Sequence, residues 1–429
     1  MIDSSMQPLA TTQQRQLEKL NFLLQELRKS NPFYRQKIEQ SGLGLPLLSF
    51  NDFFACFPLT TKSEIEADQK ANPPFGTNLT FPLERYVRFS QTSGSTGRPI
   101  HWLDTPESWR WMLEKWIAVF QAAKVYAEDR VFFAFSFGPF LGLWTAFEAA
   151  QAVGCLTIPG GGSNSISRLE LIIKLQATVL CCTPTYALHL AEVARKEGVD
   201  LAKSQVQKIF VAGEPGGSIP ATRNRIETLW NGARVFDQHG LTEVGPASYE
   251  RVDRPGTLFI LGKAFIPEVV DPKTLKEVDA GETGELILTN LGRIGSPLLR
   301  YRTGDLVRKG EFIPGQFGTQ DLALEGGILG RSDDMVLVRG VNVYPAAVES
   351  VLREFEEIAE YRVFVKKQNE MVELMIEIEF DAAHGAVEES RAQIQKALRL
   401  AFSLRIPVEV VPAGHLPRYE MKAKRWIRE

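Results

Sequence analysis

Between residues 130 and 245 the chain alternates short apolar runs with longer stretches in which apolar residues recur every three or four positions. The runs are Val131-Phe-Phe-Ala-Phe135, Thr178-Val-Leu-Cys-Cys182, Lys208-Ile-Phe-Val-Ala212 and residues 233–236, and the helical patterns fill 166–175, 186–196 and 221–230. Apolar runs too short for helices, separated by amphipathic helices, predict βαβ units and a parallel sheet. Ligands of such sheets sit in the loops that follow the carboxyl ends of the strands.

Upstream, Leu17, Leu20, Leu23, Leu24 and Leu27 have helical spacing, and a helix over 13–40 is expected to cover the first domain. Beyond about residue 255 the strands shorten and their turns become polar, as in Pro267-Glu-Val-Val-Asp-Pro-Lys273 and Gly284-Glu-Leu-Ile-Leu-Thr289, which predicts a mostly antiparallel subdomain. From 331 onward the pattern reads strand (335–338), helix (345–355), two strands (361–366, 372–380), helix (388–402) and strand (408–411), an α+β unit in its own right. The polar, turn-forming Gly330-Arg-Ser-Asp-Asp334 suits a hinge. The expected architecture is therefore α/β, with a large domain over 1–330 and a small one over 331–429.

Composition narrows the function. Of 429 residues 44% are apolar and 24% charged, the balance of a folded globular chain. With 49 Lys and Arg against 52 Asp and Glu, the formal net charge of −3 excludes a charge-driven nucleic-acid binder. Four cysteines, none spaced as a CxxC clip, are too few for a disulfide framework, and Cys181-Cys182 reads as a pair of buried strand thiols in a reducing compartment. The start Met1-Ile-Asp-Ser-Ser-Met-Gln-Pro8 has neither the basic nor the apolar part of a signal peptide. The longest uncharged stretch, 131–147, is shorter than the ~20 residues of a membrane helix and is broken by Gly138-Pro139. A cytoplasmic protein with no membrane or nucleic-acid partner is expected.

Five segments can carry chemistry. Gln91-Thr-Ser-Gly-Ser-Thr-Gly-Arg-Pro99 combines hydroxyl donors with glycines that let backbone N–H groups close around a phosphate, although a flexible turn is the commoner fate of a bare Ser/Gly run. Its glycine spacing is not that of a Walker loop. In Asp237-Gln-His-Gly-Leu-Thr-Glu-Val-Gly-Pro246 the adjacent Thr242 and Glu243 can hold a phosphate oxygen and Mg²⁺ together; an ordinary strand-end turn is the alternative. Asp305, in Tyr301-Arg-Thr-Gly-Asp305, can accept two ribose hydroxyls or can be a plain turn residue. The remaining two are 330–345 and the basic tail Leu416-Pro-Arg-Tyr-Glu-Met-Lys-Ala-Lys-Arg425, by composition a solvated end.

Taken together and in this order, with Gly213-Glu-Pro215 between the first and second, these segments resemble the adenylate-forming acyl-CoA synthetase superfamily. The likeness is strongest to its phenylacetate-CoA ligase branch, through Phe57-Pro-Leu-Thr-Thr-Lys62, Thr183-Pro-Thr-Tyr-Ala-Leu188, Arg300-Tyr-Arg-Thr-Gly-Asp-Leu306 and Arg331-Ser-Asp-Asp-Met335. The resemblance implies ATP, Mg²⁺ and coenzyme A as cofactors and co-substrates, and an N-terminal adenylation domain followed by a mobile C-terminal one. Thr92, Ser93, Gly94, Ser95, Thr96 and Gly97 would grip the triphosphate, while Gly213, Glu214 and Pro215 would lie along adenine. Thr242 would bind phosphate, Glu243 would hold Mg²⁺, Asp305 would take the ribose hydroxyls, and Arg331 would contact ribose or phosphate. Asp333 would be the hinge, and Arg339 and Gly340 would belong to the loop that meets CoA. Lys422 matches the lysine that makes the adenylate; Met421 stands where the family has Gly and Lys424 is two residues away, so Lys422 is the favoured of two lysines.

The family's aromatic pocket segment aligns with Phe137-Gly-Pro-Phe-Leu-Gly-Leu143, which points Phe137, Gly138 and Phe140 at an aryl or arylacetic acid. His239 replaces the family's Tyr and, with Gly240, would wall the pocket or donate to the acid's carboxylate. An already ionised carboxylate needs no general base. The cysteine- and histidine-rich segment that some relatives carry after Gly-Pro is absent from 247–262, so no structural zinc is expected. Relatives often form homodimers, an assembly that no segment here reveals. Transfer of the acyl or adenylyl group to a carrier-protein thiol or an amine is the alternative to CoA, and a binding-only pseudoenzyme is a third reading, disfavoured by the joint presence of Glu243, Asp305 and Lys422.

Overall fold

The leucine-spaced N-terminal stretch forms two helices, because Asn31-Pro32 divides it. In the computed structural model, which describes residues 9–92, 99–339, 341–368, 371–381, 385–419 and 423–428, helix Leu9–Ser30 ends just before Asn31. Asn31 caps a second helix, Pro32–Ser41, by accepting from the Tyr34 N–H at 3.0 Å, and Pro32 occupies its first position, where a missing N–H costs nothing. Leu20, Leu23, Leu24 and Leu27 are fully buried against Tyr34, Phe53, Phe57, Ile266 and Leu299.

Residue contacts divide the chain into two compact units, 1–161 with 238–327 and 162–237 with 328–429. In the first unit Arg130–Phe133 pairs in parallel with Leu156–Pro159, flanking helix Trp144–Val153. Arg88–Gln91 and His101–Asp104 form an antiparallel hairpin whose neck is closed at Thr92: its N–H donates to the Ile100 carbonyl at 3.0 Å, and its Oγ1 accepts from the Ile100 N–H at 2.9 Å. The expected antiparallel subdomain is a six-stranded sheet in the order 248–251, 254–260, 320–331, 301–314, 283–290, 265–270.

In the second unit Val179–Cys182, Lys208–Val211 and Arg234–Asp237 pair in parallel, and helices Ser165–Lys174, Pro184–Glu197 and Pro220–Leu229 lie within a residue or two of where the periodicity put them. Thr183-Pro184 is a helix start, with Thr183 Oγ1 accepting from the Tyr186 N–H at 3.2 Å. The tight apposition of strand ends depends on Gly217, where an added Cβ would stand 2.5 Å from Val211 and 2.6 Å from the Asp237 carboxylate carbon.

The C-terminal part is a four-stranded sheet in the order Val408–Val411, Met371–Phe380, Ile358–Gln368, Trp426–Arg428, with helices Pro345–Leu352 and Val387–Phe402. Its core joins Val343, Val348, Leu352, Ile358, Val363, Ile376, Ile394 and Leu398. Two short strands escaped the periodicity because three residues show no period: Val341–Val343, paired with Val336–Val338, and Trp426–Arg428, parallel to Val363–Val365. The second returns the basic tail to the sheet.

Candidate active site

In the first unit the site grows from the strand Tyr301–Pro314. Its side chains alternate between faces, so Tyr301, Thr303 and Asp305 are buried while Arg302 and Gly304 are half-exposed. The start of this strand is anchored by Arg300, which forks onto Glu268 at 3.0 and 2.7 Å and donates to the Phe57 carbonyl at 2.7 Å. Thr60 Oγ1 donates to the Leu299 carbonyl at 2.8 Å, and Thr60 bridges Tyr301 in parallel. The Phe57-Pro-Leu-Thr-Thr61 segment thus fixes the register of the strand that carries Asp305.

Opposite this face lies a tight hairpin, in which Gly240 pairs with Pro246 and Leu241 with Gly245. A Cβ at Gly240 would stand 2.8 Å from the Gly245 carbonyl oxygen, so a side chain there would force the hairpin open. The hairpin presents Glu243 to the buried face: Tyr301 Oη donates to Glu243 Oε1 at 2.8 Å, and His239 Nε2 lies 2.8 Å from Asp305 Oδ2. His239, Glu243 and Asp305 are each at least nine-tenths buried. Because a carboxylate only accepts, chemistry assigns the shared proton to His239 Nε2. His239 Nδ1 is buried with no hydrogen-bond partner among the described residues, so a polar group of a ligand could take it up.

Arg293 shapes this hairpin from behind. It is fully buried, pairs with Asp104 through Nε and Nη2 at 2.6 Å each, and donates from Nη1 to the Thr242 carbonyl at 2.7 Å. The backbone of the Thr-Glu pair is therefore tied to a desolvated ion pair.

The aromatic segment is half-buried. Phe137 packs on Trp144 at 4.7 Å between ring centres and edge-on to Phe147 at 5.3 Å, and Trp144 Nε1 donates to the Gly138 carbonyl at 3.0 Å. A Cβ on Gly138 would meet the Phe140 ring at 3.2 Å. The Gln91 N–H donates to the Pro139 carbonyl at 2.7 Å, joining this wall to the base of the hydroxyl/Gly loop. Ser93, Gly94, Ser95, Thr96 and Gly97 lie outside the described residues, as do Gly340 and Lys422.

The other predicted positions belong to the second unit. Gly213 adopts φ +94°, in the region open to glycine. Glu214 accepts from the Thr185 N–H through Oε1 and from the Ala423 N–H through Oε2, both at 2.9 Å, and Pro215 follows it. Arg331 pairs with Asp333 at 2.9 Å on the surface, and Arg339, at φ +48°, pairs with Glu373.

The sequence reading missed Tyr301 and the pair Asp104–Arg293. Tyr301 was detectable: it stands four residues before Asp305 and so shares its strand face. Arg293, isolated between Gly292 and Ile294, gave no signal.

The arrangement can hold a divalent cation at Glu243. One carboxylate oxygen is committed to Tyr301, and the second is a hard anionic donor of the type Mg²⁺ prefers, to be completed by phosphate oxygens and water. Among the described residues no cluster of three or more His, Cys, Asp or Glu side chains forms a metal cage, and no helix among them is long and apolar enough to cross a membrane.

Comparison with known proteins places this geometry. The model of the AMP-binding enzyme family matches residues 76–292, and that of the AMP-binding enzyme C-terminal domain matches 340–429. Phenylacetate-coenzyme A ligase of Pseudomonas putida is 28% identical over 96% of this chain and 92% of its own length, and that of Escherichia coli K12 is 29% identical over 96% and 93%. The crystal structure of 2-hydroxyisobutyryl-CoA ligase in the postadenylation state, in complex with 2-HIB-AMP, superposes with a TM-score of 0.93 at 28% identity, covering 99% of this chain and 91% of that one. With the hairpin's buried Glu243 bonded to the strand face that carries Asp305, and with family matches over 76–292 and 340–429, the chain belongs to the AMP-binding enzyme family.

Proposed function

We propose that this protein is an AMP-forming carboxylate–CoA ligase acting on an aryl or arylacetic acid. The observation that carries the reading is the meeting of His239 and Glu243, from the hairpin segment, with the buried strand face of Tyr301 and Asp305, inside a chain similar to phenylacetate-coenzyme A ligases over nearly their full length.

In the first step a carboxylate oxygen of the acid attacks the α-phosphorus of ATP, the bond from that phosphorus to the bridging oxygen of the β-phosphate breaks, and pyrophosphate leaves with the electron pair. The two anions repel, so the protein's task is to position them and to neutralise charge. Asp305 accepts from the ribose hydroxyls, Thr242 donates to a phosphate oxygen, and Lys422 supplies the cation at the forming acyl-phosphate bond. Glu243 would hold Mg²⁺, which would supply positive charge against the triphosphate. Thr92, Ser93, Gly94, Ser95, Thr96 and Gly97 are the residues that would bind the triphosphate. In the second step the CoA thiol attacks the activated carbonyl, its proton passes to solvent, and AMP departs.

Residues 1–330 act as the adenylation domain and 331–429 as the mobile one, turning at Asp333 to exchange Lys422 for the Arg339–Gly340 loop. Phe137, held by Trp144 and Phe147, together with Phe140 favours a flat aromatic acid. The reaction is assigned to the cytoplasm.

Acid-dependent exchange of pyrophosphate into ATP, screened over benzoic, phenylacetic, indolic and aliphatic acids with and without CoA, tests the reading. Exchange with aromatic acids and CoA-dependent turnover is expected. Exchange with no dependence of turnover on CoA would move the acceptor to a carrier thiol or an amine, and no exchange with any acid would end the reading. Phe137→Ala and Phe140→Ala should raise KM for the aromatic acid more than they alter ATP use.

A further inference from the structure

The Gly213-Glu-Pro215 strip carries a carboxylate that both of its oxygens commit to backbone. Glu214 Oε1 accepts from the Thr185 N–H, one of the donors left open in the first turn of helix Pro184–Glu197, where the helix dipole also favours an anion. Glu214 Oε2 accepts from the Ala423 N–H in the C-terminal tail. A carboxylate held at both ends by N–H groups has little rotational freedom and joins the two segments it touches.

Two further ties bind the same tail to the same helix. Arg425, buried and forked onto Glu360 at 2.6 and 3.1 Å, also donates from Nη1 to Thr185 Oγ1 at 3.2 Å. Arg418 bridges Glu192 on the helix, at 3.1 Å, and Glu379 on the C-terminal sheet, at 2.6 Å. The ties fall at 418, 423 and 425, on either side of position 422. Contacts of this kind explain why residues 162–237 group with the C-terminal segment.

We propose that Glu214 is a positioning residue for the adenylation lysine: by clasping Ala423 to the start of helix Pro184–Glu197 it sets the tail that carries Lys422, and its carboxylate is not itself a contact to the nucleotide. The inference rests on the adenylation reading above. Adenine then meets the backbone of the strip, whereas the side chain acts only while the tail is docked, in the first half-reaction. The second half-reaction needs no lysine at the α-phosphate and gains nothing from the clasp.

The test separates the half-reactions. Pyrophosphate exchange measures adenylation, and pre-formed acyl-adenylate with CoA measures thioester formation, in the full-length enzyme. Glu214→Gln replaces one acceptor by a donor facing a donor; it should lower kcat of adenylation about tenfold, the scale of one charge-assisted hydrogen bond, with KM for ATP nearly unchanged and thioester formation intact. Glu192→Gln, which cuts only the half-exposed outer tie, should act in the same direction by about threefold, on the scale of a surface ion pair. In a Lys422→Ala background Glu214→Gln should cost nothing further, since a positioning residue has lost what it positions. A raised KM for ATP at unchanged kcat would make Glu214 an adenine contact; equal loss in both half-reactions, or additive loss with Lys422→Ala, would make it structural. Should Glu214→Gln not fold, unchanged adenylation in Glu192→Gln overturns the clasp. Absence of exchange in the wild-type enzyme would instead defeat the ligase reading, a distinct outcome.

Discussion

His239 Nε2 donates to Asp305 Oδ2 across 2.8 Å in a buried setting, and the two residues come from chain segments 66 positions apart. The bond fixes the ring and leaves Nδ1, which has no hydrogen-bond partner among the described residues, for another polar group. Removing the imidazole leaves a buried carboxylate with one fewer donor. His239→Ala should therefore raise KM for ATP by about ten- to a hundredfold, matching the roughly 1.5–3 kcal/mol of a hydrogen bond to a charged group. Initial-rate exchange kinetics against ATP check this, and an unchanged KM would return the pair to a packing role.

Lys422 and Lys424 differ in what they should do. Lys422→Ala should lower adenylation by roughly 10²–10³-fold, the scale of one transition-state donor, while thioester formation from supplied acyl-adenylate persists. Lys424→Ala should leave both half-reactions within a few-fold. Reversed effects would transfer the role to Lys424.

The Asp104–Arg293 pair has no exposed side-chain surface. Breaking it from one side strands the other charge, and Asp104→Asn should destabilise the fold by about 3–5 kcal/mol. Arg293→Lys keeps the charge but loses the planar fork that reaches both Asp104 and the Thr242 carbonyl, so it should weaken adenylation in addition to stability. Urea denaturation followed by circular dichroism, run alongside exchange assays, separates the two effects. Full activity in a destabilised Arg293→Lys would detach Arg293 from the Thr242 turn.

Acid should loosen the C-terminal tail. Burial pushes the Glu360 carboxyl up, but Arg425 and Arg353 outweigh burial and hold it below the ordinary carboxylate range. A carboxyl whose folded value is depressed contributes stability that is complete above its unfolded value, about 4.3, and disappears as pH falls through the folded value. The urea midpoint should therefore fall more between pH 6 and pH 3 in the wild type than in Glu360→Gln, with both pH values approximate bounds of the carboxylate range. Equal acid sensitivity would remove Glu360 from the account.

Much of this was legible one-dimensionally. Short continuous apolar runs and helical patterns located the parallel strands at 179–182, 208–211 and 234–237 and the helices between them, because each element buries apolar area that its own residues encode. The order of the motifs identified the family, because catalysis confines residue types at fixed places along the chain. The break at Asn31-Pro32 is also written locally, as a capping residue followed by a proline that opens a new helix. What the sequence could not contain is which distant groups share a proton or a charge. Arg293 looks like any arginine between apolar neighbours, and only the fold carries Asp104 to it and buries both. Glu214 reads as part of a nucleotide strip, and only the return of the tail as the strand Trp426–Arg428 gives its second oxygen an N–H at Ala423. Local pattern follows from burying apolar area, which each segment encodes for itself. The pairing of polar groups is decided by the desolvation cost of leaving them alone, and that cost exists only once the segments have met.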